Sequence, residues 1–239
     1  MVSMEDVNVT APRCWTGRHS RSVLEIRADG RFRVERLEDC GSTYESVLSK
    51  GELDALLQDI VVEQQFMSLT APGIWDDIHE ERRKRNEIGG LFRVIEAGDT
   101  IVHVKTANRE NKVMFNAPSR FAQENPGAKQ IVRLASVVEK LRILASRLAE
   151  TGRAHATVAL GKANQHLART YPALPKLGEF LLDHVRSFSS QSGQWSSEFR
   201  HVYQDDRFPL DDRYLALRVT VVDPMSPKPE IVVTTQNAD

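Results

Sequence analysis

The sequence predicts an α+β protein in which antiparallel sheet segments, built from hairpins, pack against several amphipathic helices. Three observations carry that prediction. Strand-like runs come in neighbouring pairs joined by turn residues, as in "SVLEIRADGRFRVERL". Amphipathic helical runs lie between the groups of strands and do not follow each strand in turn. Grouping of that kind favours an antiparallel arrangement over a doubly wound parallel sheet.

Residues 1–20 are polar and irregular, which predicts a loose N-terminal tail. In the next run Val23, Glu25 and Arg27 alternate with Leu24 and Ile26, then Phe32 and Val34 alternate with charged residues. Asp29-Gly30 between the two halves is a strong hairpin signal, because a tight turn needs residues that tolerate positive φ. A short strand is expected over 44–48. Ser49 and Glu52 then have capping-box spacing, followed by an apolar stripe of Leu53, Leu56, Leu57, Ile60 and Val61. The spacing predicts a helix with that stripe in the core.

"GIWDDIHEERRKRNEIGG" holds four consecutive basic residues, 82–85, flanked by acids. Read as a helix over 72–87, it has Thr70 as cap and Pro72 in the first turn, where proline is tolerated. Its acids come early and its bases late, the order that complements the helix dipole. Glu80 with Lys84 and Glu81 with Arg85 are i,i+4 pairs. Five acids against four bases leave no positive field, so a solvated helix is expected, not a nucleic-acid grip.

A second hairpin is predicted from "GDTIVHVKTANRENKVMFNA". A long helix follows, with Ile131, Leu134, Val138, Leu141 and Leu148 in register and Gly152 as terminator. "HATVALGKANQHLARTY" predicts another helix, and "PKLGEFLLDHVRSF" a third, lining up Leu177, Leu181, Val185 and Phe188. "GQWSSEFRHVY", "RYLALRVTVV" and "EIVVTT" have β character. The expected organisation is a tail over 1–20, an N-terminal α+β domain over 21–150, and a helix-helix-strands region over 153–239 that could form a second small domain.

The 239 residues carry 32 Lys and Arg against 33 Asp and Glu, a formal net charge of -1. General nucleic-acid binding needs a basic surplus, so nucleic acid is not the expected partner. No apolar run approaches the roughly 20 residues that span a bilayer. The N-terminus has neither a basic n-region nor an apolar h-region, so the chain reads as cytoplasmic. Cys14 and Cys40 fit no zinc spacing; two free thiols are expected, with a single bridge as the alternative in an oxidising compartment.

Phosphate-loop, dinucleotide, H-E-x-x-H and G-x-S-x-G patterns are absent. No cofactor or metal is expected. The best remaining constellation is "HVYQDD", where His201, Asp205 and Asp206 could approach a metal or form an acid–base pair if the strand turns back there. "SFSSQSGQWSS" reads as a flexible loop rich in hydroxyls. His103 and His184 read as structural histidines, and Trp15, Trp75 and Trp195 as packing residues.

Three stretches resemble counterparts in a known group. "ESVLSKGELDALLQDIVVEQQFMSL", "AGDTIVHVKTANRENKVMFNA" and "ALGKANQHLARTYPALPKL" are similar to patterns in uncharacterised bacterial proteins of planctomycete type. The resemblance covers most of residues 44–188. It implies no activity, cofactor or site residue, and it implies export of a longer natural form. The function expected from these readings is that of a non-enzymatic protein-interaction or structural domain, with another protein as partner. A hydrolase using His201, Asp205 and Asp206 is one alternative, and a small-ligand binding module is the other.

Overall fold

A computed structural model describes residues 1–7, 21–36, 41–87, 98–174, 176–204 and 214–237. The fold is α+β, with ten strands and four α-helices among the described residues. Two compact units divide the chain: Met1–Glu38 with Leu48–Arg147, and Asp39–Val47 with Leu148–Asp239. The second crossing from the first unit to the other, Arg147 to Leu148, falls inside a helix.

In the first unit the strand order is β3 (Arg31–Arg36), β2 (Arg21–Ile26), β1 (Val2–Val7), β5 (Asp99–Lys105) and β6 (Glu110–Asn116), every pairing antiparallel. The N-terminus is therefore not a loose tail over 2–7. Val2 pairs with Ile26 on one side and Val104 on the other, and Val2 and Met4 are buried. Polar composition concealed a strand whose two alternate apolar residues suffice once both neighbours supply a ladder. Residues 8–20, with Cys14 and Trp15, lie outside the described residues, as does Cys40.

The first hairpin forms as expected, with Ile26 opposite Phe32. Its turn is wider than a two-residue one. Arg27 N donates to Arg31 O at 2.8 Å, and Gly30 alone takes a left-handed conformation, φ 83°. Asp29 contributes through its side chain, accepting from Arg31 N at 3.1 Å.

Helix α1 (Lys50–Leu57) begins with the expected capping box: Ser49 Oγ accepts from Glu52 N, and Glu52 accepts from Ser49 N. The expected apolar stripe is only partly core. Leu53, Leu56 and Leu57 are half-buried, and Ile60 alone is fully enclosed. The helix widens there into a π-helical turn, Gln58–Glu63, which carries Ile60 inward and turns Asp59 toward Lys140.

Helix α2 (Ala71–Lys84) holds the basic run. Thr70 caps it through Gly73 N, and Ile74 and Ile78 face the core. Lys84 pairs with Glu80 at 2.8 Å as expected. The Glu81–Arg85 pair does not form. Arg85 instead reaches Glu124 O and Asn125 Oδ1, at the end of α3 (Pro118–Glu124), a short helix the periodicity did not suggest. Arg82 is half-buried, and Arg83, Lys84 and Arg85 are exposed. Asp77 Oδ2 accepts from Gln130 N, supplying an acceptor for the exposed amides at the start of α4 (Lys129–Thr170). Residues 88–90 lie outside the described residues.

Helix α4 is continuous for 42 residues, where two helices separated at Gly152 were expected. Its first part lays Ile131, Leu134, Val138 and Leu141 into the first unit's core, beside a cluster of Trp75, Phe115 and Phe121. The β5–β6 hairpin forms with His103 opposite Lys112; His103 Nε2 lies 2.8 Å from Glu110 Oε1, a structural contact.

In the second unit the strand order is β4 (Ser42–Val47), β7 (Arg186–Ser189), β8 (Trp195–Gln204), β9 (Tyr214–Val222) and β10 (Glu230–Asn237). Only the β4–β7 pairing is parallel. The rest of α4 packs here. Tyr44 rests on Gly152, and His155 stacks on Trp195 with ring centres 4.9 Å apart. The helix expected from "PKLGEFLLDHVRSF" is a 3-10 turn, Glu179–Asp183, running into β7, with Phe188 exposed. Helical spacing of its apolar residues lost to strand pairing on both sides of β7. The serine-rich stretch is likewise no loose loop: Ser187 Oγ lies 2.9 Å from Ser197 Oγ, both buried in a β7–β8 hairpin.

Candidate functional site

Strands β8, β9 and β10 form a three-stranded meander whose two faces differ. Phe199, Leu217, Val219 and Val221 alternate onto the buried face. The intervening residues make an outer face in cross-strand rows: Glu198–Thr220–Val232, then Arg200–Arg218–Thr234, then Val202–Ala216–Gln236. Period-two alternation in "SSEFRHV", "ALRVTVV" and "EIVVTT" produces this sorting.

Arg200 and Arg218 are direct cross-strand partners, a placement in which like charges repel. Arg200 donates through Nε to Glu198 Oε1 at 2.7 Å, which offsets half of the pair. Arg218 has no anionic partner among the described residues. Both arginines, with Thr234, border a depression of about 230 Å³.

His201, the sequence-derived acid–base candidate, sits on β8 between Arg200 and Val202. Its ring meets the edge of Phe180 at 5.4 Å, and burial pushes its pKa below the usual histidine value. Asp205 and Asp206 lie outside the described residues, so of that constellation only His201 is placed. Among the described residues no group of three metal-ligating side chains converges.

His155 carried no sequence signal, since one histidine in an alanine-rich helix says nothing of its surroundings. In the fold its Nδ1 is buried without a hydrogen-bond partner among the described residues, against the Trp195 ring. Burial lowers its pKa, and the carboxylate of Asp223 opposes that shift.

The outer border of this meander is β10. Its partner is β9 along all eight residues, and it stands last in the strand order. Glu230 is the strand's single charged residue, and no proline interrupts 231–237. Val232 is 46% exposed. The outer strand of the first unit's sheet, β6, is built otherwise. It carries Glu110 and Lys112, and Asn111 Nδ2 ties it to the carbonyls of Phe66 and Leu69. Charge and a neighbouring segment blunt that edge in the usual way; β10 has one charge, at its first residue, and no such tie to another segment among the described residues.

No helix among the described residues is long and apolar enough to cross a membrane. Neither a family model nor a curated protein matches this chain.

Proposed function

We propose that the chain is a non-enzymatic protein-interaction domain that takes up an extended segment of its partner along β10. The single observation that carries this reading is the edge of β10, which among the described residues is unblunted: eight residues, one charge at the start, no internal proline. Backbone N–H and C=O groups on the side away from β9 supply main-chain hydrogen bonds to an added strand, and alternate side chains supply selectivity. The resemblance to planctomycete-type proteins brings no activity that competes with this reading.

The test is a selection of extended eight-residue peptides displayed against the protein. Enriched peptides should slow hydrogen exchange at the β10 amides and lose binding at least tenfold to Val232→Lys, because a lysine on an edge strand opposes pairing. Peptides that bind the variant equally and leave those amides unchanged would sink the proposal.

A second reading, a small-ligand module, is favoured by the opposed arginines alone. Two guanidiniums and a hydroxyl around one depression suit a small oxyanion, a phosphate or a carboxylate. Millimolar inorganic phosphate should then raise the melting temperature of the wild type at low salt and leave Arg218→Thr unmoved. Equal shifts in both proteins would exclude this site.

A further inference from the structure

We infer that the segment β10 accepts is β10 of a second copy of this chain, paired antiparallel about Val233. This rests on the strand-addition reading above and names its partner.

The case is one of self-complementarity. An antiparallel pair of identical strands is related by a two-fold axis, so the same edge serves both copies and the assembly closes as a dimer. With the axis at Val233, Glu230 faces Gln236 of the other copy, Ile231 faces Thr235, and Val232 faces Thr234. The one charge of the strand therefore meets an amide and never its own image. Parallel pairing would set Glu230 beside Glu230, a like-charge contact that costs stability. The facing residues between the ends, 231–235, are all β-branched, the type that packs best across strands. The arginine row of the outer face does not oppose approach, since Arg218 and Arg200 lie on the β9 side of β10, one and two strands back from its free border.

Seven paired residues give an edge about 24 Å long, less than the contact of a permanent dimer. The association is accordingly reversible, with half-dissociation at roughly 1–100 µM.

Sedimentation of the full chain across concentrations should show a species rising toward twice the 27.0 kDa of one chain. The double variant Val232→Lys/Thr234→Lys places two lysines opposite each other across the axis, twice by symmetry. It should stay monomeric with an unchanged circular-dichroism spectrum, because both side chains are exposed. Mixing it with Val232→Glu/Thr234→Glu should restore the dimer as a heterodimer, which also shows that both variants fold. A wild type that remains monomeric to about 500 µM, well beyond that range, overturns the second-copy inference, as does a dimer that the lysine variant leaves intact. If the wild type is monomeric yet displayed peptides still protect the β10 amides, only this inference fails. If neither occurs, the strand-addition reading fails with it.

Discussion

Gly152→Ala lowers the stability of the protein by about 1–3 kcal/mol, although the same change at an ordinary interior helix position raises it by about 1 kcal/mol. The reversal comes from the ring of Tyr44. A Cβ at position 152 would lie far inside contact distance of Tyr44 Cδ1 and 3.0 Å from Cγ. Tyr44 is fully buried in β4, so its ring has no solvent to swing into. Gly152 is in the interior of a 42-residue helix, whose backbone cannot yield without breaking several hydrogen bonds. Urea denaturation of a four-member cycle checks the cause. In a Tyr44→Leu background, Gly152→Ala should be neutral or stabilising. An equal loss in both backgrounds would mean that the tyrosine ring is not responsible.

The second large effect is expected at the π-helical turn. Lys140 Nζ donates to Asp59 Oδ1 at 2.5 Å, and Gln64 Nε2 approaches the same oxygen at 3.4 Å. Burial by itself would raise the Asp59 pKa; the hydrogen bonds from Lys140 and Gln64, with the lysine charge and a contact from Glu63, outweigh it and bring the pKa below the usual carboxylate value. Lys140→Met removes the cation and leaves the carboxylate largely enclosed. The expected loss is about 1–2 kcal/mol at neutral pH, the lower part of the range for charged hydrogen bonds, because the lysine itself is 42% exposed and solvent screens the pair.

The pH dependence has a definite sign. A depressed folded-state pKa means that the unfolded chain binds the proton first as pH falls. The contribution is complete above the ordinary aspartate pKa of about 4. It fades as pH drops through the lower folded value. The stability difference between wild type and Lys140→Met should hold constant near neutral pH and shrink on acidification, beginning above about pH 4 because burial without the lysine raises the Asp59 pKa of the variant. A difference that grows on acidification would refute the pairing.

The elements that were readable in the sequence are those whose determinants lie within a few residues. Ser49 and Glu52 cap α1, and Thr70 caps α2, through contacts three residues long. Gly30 turns the first hairpin within five residues. Strands β8, β9 and β10 follow from alternation alone. His201 was also visible, as an isolated residue type, but a candidate site is a set of distances, and its proposed partners at 205 and 206 lie beyond the described residues.

What escaped the sequence depends on partners far along the chain. β1 looks like a polar tail until β2 and β5 stand on either side of it. Phe188 keeps helical spacing with Leu177, Leu181 and Val185, yet pairing with β4 and β8 makes 186–189 a strand. The basic run follows both rules: Lys84 satisfies Glu80 one turn away, whereas Arg85 leaves Glu81 for the end of α3, some 40 residues on.

Local chemistry by itself determined the α+β class, the caps, the hairpins and the absence of a basic field, because each is a property of neighbouring residues. Tertiary structure alone decided that Gly152 continues a helix instead of ending one, because a side chain more than a hundred positions away fills the space its Cβ would take. The same holds for β10. Its composition announces a strand, but only the order of strands places it last, with β9 as its partner strand among the described residues.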